Sequence, residues 1–361
     1  MKIGIVTLNG YYNYGNRLQN YALQNFIESL SENIEVETLW YKEDYSHLLN
    51  DLKTGNFLRK YIMNRRGFRN FINERSYVKQ AIREYEIRKF SKKYIKTKLV
   101  KDVKVLNQEY DYFIAGSDQV WNIGDNDGNY EFLQFASKSK RISYAASFGV
   151  SELFGKPKEK VAFLLKGMSR ISVREQAGAD IIKNLIGLDV PVLMDPTLLL
   201  SKSNWNNLMV KPWWYDNDGY ILKFFLGDDI TSREQQINDV SRKYGLKVID
   251  ILDNSNVDQY ACSPEEFLYL IKNASIVFTD SFHATVFSII MNTPFINYSR
   301  KGMNSRIDTL LNLFCMSKRH VEDRGKLDGD LFDIDFSMVD CTIDKEREKS
   351  KQFLMGALNL L

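Results

Sequence analysis

Apolar positions along the chain fall into short runs and helical periods that alternate. Residues 2–8 (KIGIVTL) form a nearly continuous apolar run, the pattern of a buried strand. A loop from Gly10 to Asn16 follows. Residues 17–30 then place Leu18, Ala22, Phe26 and Leu30 at four-residue spacing, which predicts an amphipathic helix. Strands are predicted at 35–40, 110–115, 141–145, 170–173 and 190–194, with a helix at 176–185. A second alternation begins at residue 220, with strands at 220–226, 247–251, 275–279 and 294–298. Between them lie helices at 232–244, 263–273 and 281–291, and a last helix runs from Asp344. Ser263 before Pro264, with two acids in the first turn, reads as an N-cap and first helical position.

Strands alternating with helices imply parallel sheets covered on both faces. The expected fold is α/β, with two Rossmann-like domains facing a cleft in the manner of GT-B enzymes. The expected division is 1–197, carrying a basic helical insertion at about 54–104, then 198–343, then a C-terminal helix at 344–361. Ligands of such sheets bind outside the carboxyl ends of the strands. A length of 361 residues suits two domains, and 44% hydrophobic residues supply two cores.

Charge changes the picture more than composition does. Between residues 53 and 104 there are 17 Lys or Arg against four acids. That segment therefore carries +13 of a net +3, leaving −10 on the remainder. Such asymmetry points to a polyanion, an anionic membrane surface or an acidic substrate, or else to a solvated helical face. Three dispersed cysteines support neither a disulfide framework nor a zinc cluster. The N-terminus lacks a secretory pattern, and no apolar stretch approaches a membrane span, so a cytoplasmic location is expected.

Candidate chemistry sits at strand ends. Asp280-Ser281-Phe282-His283-Ala284-Thr285 lies where a strand hands over to a helix, with Asp280 or Ser281 placed to cap it. His283, one of three histidines, would stand in the first turn beside any bound anion; the bland alternative is a core histidine bonded to a carbonyl. Arg174 follows the strand at 170–173 and can offer a planar fork to carboxylate or phosphate, or pair with Glu175 or a helix neighbour. Lys301 follows the strand at 294–298, where spacing alone more commonly means a solvated loop lysine. Asp118 and Asp195 are either general bases or caps. Neither G-x-G-x-x-G nor a P-loop is present, and Gly116-Ser117-Asp118 is not a nucleophile elbow.

Several motifs in order resemble the polysaccharide pyruvyl transferases. They are Asn13-Tyr14-Gly15-Asn16 with Gln19 and Tyr21-Ala22-Leu23-Gln24, residues 111–122 (DYFIAGSDQVWN), and Tyr144-Ala145-Ala146-Ser147-Phe148-Gly149. Ser172-Val173-Arg174-Glu175, Asp195-Pro196-Thr197, and Asp280-Ser281-Phe282-His283-Ala284 with Pro294 complete the set, over roughly residues 1–310. The resemblance implies phosphoenolpyruvate as donor in the interdomain cleft. Its enolpyruvyl carbons pass to two hydroxyls of one sugar, giving a pyruvate ketal and free phosphate. By the same resemblance His283 is the acid–base residue and Asp118 activates an acceptor hydroxyl. Arg174 and Lys301 hold the donor anions, and Ser281, Asn16, Gly15 and Ser117 line the donor site. No cofactor, metal or nucleic acid is implied. The acceptor is a sugar or lipid-linked oligosaccharide, with peripheral contact to an anionic inner membrane face as an option for the basic segment. Many members carry Arg-Leu-His where this chain has Ser281-Phe282-His283, so some anion binding must come from elsewhere, with Arg300 and Arg306 as candidates. The rival readings are a nucleotide-sugar glycosyltransferase on the same scaffold and a non-enzymatic polyanion- or membrane-surface-binding protein.

Overall fold

The computed structural model describes residues 1–11, 13–40, 67–122, 127–153, 157–216, 218–227, 231–300, 304–322, 327 and 329–361. For residues 67–78 and 157 only the backbone is described. Lys301 lies outside the described residues, as does the start of the basic segment.

The first sheet is built from β1 (Lys2–Val6), β2 (Glu35–Trp40), β3 (Thr97–Leu99), β4 (Tyr112–Ala115) and β5 (Arg141–Ser143). Its order is β3-β2-β1-β4-β5, all parallel, with Ile3 opposite both Val36 and Tyr112. The central strand β1 is apolar and buried from Ile3 to Val6 because both of its faces are covered there, as parallel sheets require. The strands expected at 170–173 and 190–194 are present only as single bridges, Ile142 to Arg170, Ala146 to Val173 and Val173 to Val192. Serine hydroxyls add to the main-chain rungs there: beside Ser143 N–H to Arg170 O (2.9 Å) and Arg174 N–H to Ala146 O (3.2 Å), Ala145 N–H donates to Ser172 Oγ (3.0 Å) and Ser172 N–H to Ser143 Oγ (3.1 Å). Pro191 has no N–H to give.

Helix α1 (Tyr14–Glu28) starts three residues earlier than its periodicity suggests, because the Asn13 side chain accepts from Gly15 N–H and caps it. Gly15 and Asn16 therefore belong to the first turn and not to a loop. Nor is α1 amphipathic in effect; nearly all of it is buried. Gln24 explains part of this: its amide donates to Val36 O and accepts from Lys96 N–H, pinning β3 beside β2. Such a three-residue strand flanked by lysines leaves no periodic trace in the sequence.

Helix α2 (Gly67–Tyr94) comes from the basic segment. Its Arg83 is 4% exposed and donates to Ile251 O and Tyr260 O of the second half at 2.9 and 2.8 Å. The guanidinium also lies 4.4 Å from the Tyr14 ring and 5.1 Å from that of Tyr260. The segment thus does interior work as well as carrying surface charge. Helices α3 (Pro157–Lys166) and α4 (Gln176–Ile186) complete this half, the first of them without an expectation from sequence.

After α5 (Lys202–Leu208), the second sheet comprises β6 (Tyr220–Phe224), β7 (Lys247–Asp250), β8 (Ile276–Thr279), β9 (Phe295–Tyr298) and β10 (His320–Val321), ordered β10-β9-β8-β6-β7 and parallel. Helices α6 (Thr231–Tyr244), α7 (Pro264–Asn273), α8 (Phe282–Met291) and α9 (Ser305–Leu313) cover it. Helix α7 has the expected Ser263 cap, closed into a capping box by Glu266. Every residue of α8 is buried. The last helix, α10 (Val339–Ala357), begins five residues before the expected Asp344 and returns to the first half. Arg347 donates to Leu199 O, and Asn359 beyond the helix donates to the Tyr112 hydroxyl. No helix among the described residues is long and apolar enough to cross a membrane.

Candidate active site in the cleft

Both sheets end on one cleft, of about 220 Å³, lined by Asn13, Asn16 and Asp118 from the first half and by Ser281, His283, Arg300 and Arg306 from the second. The N-termini of α1 and α8, one from each half, therefore open onto the same space. A helix N-terminus presents unbonded N–H groups and a positive dipole end, so two of them meeting make a cavity suited to anions.

His283 is 5% exposed and wedged between the halves. On one side its Nε2 lies 3.6 Å from Asp195 Oδ2, beyond hydrogen-bond range but close enough for charge attraction. On the other, its ring lies against Gly15, where a Cβ would fall 2.0 Å from Nδ1. Ser281 caps α8 by accepting from Ala284 N–H at 3.4 Å. Asp280, the other candidate cap, is used differently. Its carboxylate accepts from Leu226 N–H (2.6 Å), Gly227 N–H (3.0 Å) and Arg233 Nη1 (3.0 Å), tying the loop after β6 to the start of α8.

Behind the cleft lies a buried ion cluster. Arg174 gives Nη1 to Asp195 Oδ2 at 2.7 Å and Nη2 to Asp118 Oδ1 at 3.3 Å, and stacks on the Phe282 ring at 4.5 Å. Its fork is thus committed to protein carboxylates, and it borders a separate, more apolar cavity of about 250 Å³. The Glu175 pairing considered from sequence is longer, at 4.0 Å. Asp195 is both cap and ion-pair partner: its Oδ1 also accepts from Thr197 N–H and from the Thr197 hydroxyl. Ser117 is fully buried and donates its hydroxyl to Asp195 Oδ2 at 3.1 Å. Burial alone would raise the Asp195 carboxyl, but His283 and Arg174 outweigh it and hold the group well below the usual carboxylate range. Asp118 is likewise held low, with the charges of Arg174, His283 and Arg306 overcoming desolvation. Its backbone takes φ 76°, a left-handed conformation uncommon outside glycine, which turns the side chain into the cleft.

Two residues escaped the sequence reading. Arg233 lies mid-pattern in an ordinary surface helix, and only the fold brings it under Asp280. Asn13 was legible in its motif, but its place on the cleft wall depends on the early start of α1.

The family model described as polysaccharide pyruvyl transferase matches residues 13–302, a stretch containing His283, Ser281, Asp118, Asn13, Asn16 and Arg300 of this site but not Arg306. Among solved structures, the complex of S. aureus MnaA with UDP superposes at a TM-score of 0.50 and 9% identity, covering 86% of this chain and 82% of that one. UDP-GlcNAc 2-epimerase from Neisseria meningitidis bound to UDP-GlcNAc gives 0.45 at 10% identity over 98% and 94%. E. coli heptosyltransferase WaaC with ADP gives 0.41 at 10% identity over 96% and 100%. At such identities likeness concerns fold alone, and the two parallel sheets together with the first superposition establish the expected GT-B-like, two-domain Rossmann architecture. No curated protein matches the chain by sequence.

Proposed function

We propose that this chain, which belongs to the polysaccharide pyruvyl transferase family, moves the pyruvyl group of phosphoenolpyruvate onto two hydroxyls of one sugar and releases phosphate. The observation that carries this reading is the convergence on one cleft of His283, the open N-terminus of α8, Arg300 and Arg306. Phosphoenolpyruvate carries about three negative charges, and a cavity of this kind recognises such a small polyanion.

The residues divide the work by position. His283, at the cleft wall, delivers the proton to the methylene carbon of the donor. The oxocarbenium-like centre so formed is attacked by a sugar hydroxyl, whose proton passes to a base. Asp118 faces the same space and takes that role. The C–O bond to phosphate then breaks and phosphate leaves; the second hydroxyl closes the ketal and returns its proton to His283. Asp195, kept ionised, stands 3.6 Å behind the imidazole, the position of an orienting carboxylate behind a catalytic histidine. Arg174 holds Asp195 and Asp118 in register rather than touching the donor. The acceptor is a saccharide, free or lipid-linked, and the domain division remains the one expected from sequence, with α10 returning to the first half.

Thermal stabilisation by phosphoenolpyruvate, set against UDP-N-acetylglucosamine, tests the reading. Ligand at ~100 times its dissociation constant adds about 2.7 kcal/mol, a visible shift in melting point. A shift with phosphoenolpyruvate is the expected result. A shift with the nucleotide-sugar alone overturns the donor assignment and makes the protein a glycosyltransferase or epimerase on this scaffold.

A further inference from the structure

Arg306 occupies the first turn of α9 at the cleft wall and is 9% exposed. Among the described residues its guanidinium makes no hydrogen bond and no ion pair, and its one ring contact is with Phe282 at 5.9 Å. Its neighbours are not so placed. Arg174 is bonded to Asp195 and Asp118, and Arg233 to Asp280 and the Ser299 carbonyl. The carboxylates nearest Arg306 in charge terms are Asp118 and Glu175, and both are engaged, Glu175 by the Ser147 hydroxyl at 2.7 Å. A buried, unpaired cation is costly and marks a place where an anion is meant to arrive. Burial and the like charges of Arg174 and Arg300 push its pKa down to about 10, so it stays charged at neutral pH.

The same cavity holds a second set of open donors. With Ser281 capping Ala284 N–H, the backbone N–H groups of Phe282 and His283 have no partner among the described residues at the start of a ten-residue helix. The side chain preceding Phe282 is a serine, which brings no charge of its own. Arg300 stands at the rim, its Nε 3.9 Å from Asp280.

We infer that Arg306, together with the N–H groups of Phe282 and His283, is the phosphate-binding element of the cleft. A guanidinium fork and two convergent N–H groups match the three terminal oxygens of a phosphate dianion. The inference rests on the phosphoenolpyruvate reading for the identity of the donor, and it adds that the same element holds the phosphate released. Inorganic phosphate then competes with the donor.

Inorganic phosphate is the probe. Wild type, Arg306→Gln and Arg306→Lys are titrated with phosphate and with phosphoenolpyruvate by equilibrium dialysis, and each is melted without ligand. Wild type is expected to bind phosphate, Arg306→Gln to lose at least tenfold in affinity for both ligands, and Arg306→Lys to retain part. Arg306 makes no hydrogen bond or ion pair among the described residues, but its charge helps keep Asp118 ionised, so Arg306→Gln should melt modestly lower than wild type, and the melt shows that the variant is folded when its affinities are read. Equal phosphate affinity in wild type and Arg306→Gln, with phosphoenolpyruvate still bound, overturns the inference and leaves the donor reading standing. Phosphate binding that depends on Arg306, in a wild type that ignores phosphoenolpyruvate, upholds the phosphate element and overturns the donor reading.

Discussion

Gly15 and His283 come from opposite halves of the molecule and touch: a Cβ on Gly15 would lie 2.0 Å from Nδ1 and 2.3 Å from Cγ of the imidazole. The first turn of α1 therefore fixes how far the histidine can enter the cleft, and the absence of a side chain at one position sets the geometry of the other. Gly15→Ala should displace the ring and separate the halves locally. The expected outcome is a stability loss of about 1–3 kcal/mol from overpacking and turnover reduced to the level of a histidine deletion. Chemical denaturation and single-turnover kinetics check this, and an alanine variant with unchanged kcat contradicts it.

His283→Ala removes the proposed proton donor while leaving the cap Ser281 and the buried body of α8 in place. Turnover should fall by ~10²–10⁴-fold, with phosphoenolpyruvate affinity little changed and the circular dichroism spectrum retained. Loss of donor binding along with turnover would instead make the histidine a binding residue.

Asp195→Asn leaves Arg174 buried against Asp118 alone at short range. Breaking one side of a buried pair costs about 3–5 kcal/mol, read as a fall in the denaturant midpoint. The same carboxylates set the acid limb of stability. Asp195 and Asp118 both titrate below the ordinary value of 3.8 in the folded protein. The unfolded chain therefore takes up protons first as pH falls, so their stabilisation is complete above about pH 4 and is lost progressively below it. Wild type should lose stability steeply there and Asp195→Asn less steeply. Parallel slopes for the two would argue that other groups control the acid transition.

Arg83→Met tests the bridge from α2. The substitution keeps much of the aliphatic volume but removes donors to Ile251 O and Tyr260 O and the stacking on Tyr14. Charged hydrogen bonds of this kind contribute about 1.5–3 kcal/mol, so the midpoint should drop accordingly. The drop should persist in high salt, since the group is buried and poorly screened. A salt-sensitive loss, or none, would assign Arg83 to the solvated face after all.

The sequence by itself determined the class of fold and set the candidate residues at strand ends. Runs such as residues 2–8 and 275–279 alternate with helical periods, and that alternation leaves only covered parallel sheets with ligands at strand ends. Caps are local too, so Ser263 with Pro264 marked the start of α7 and the residues 280–283 marked the start of α8. What the tertiary structure alone decided is which polar groups neutralise one another. Arg174 and Asp195 are twenty-one positions apart, and nothing in either neighbourhood says that the fork will be spent on that carboxylate and not offered to the cleft. Arg233 under Asp280 and Arg83 between Tyr14 and Tyr260 are of the same kind. Periodicity records which face of an element is buried, because burial depends on a repeating backbone geometry. Charge pairing depends on distances of a few ångströms between side chains far apart in the chain, and only packing brings them together. Arg306 is the clearest case: its number in the sequence is ordinary, and its meaning lies in the partner the fold does not give it.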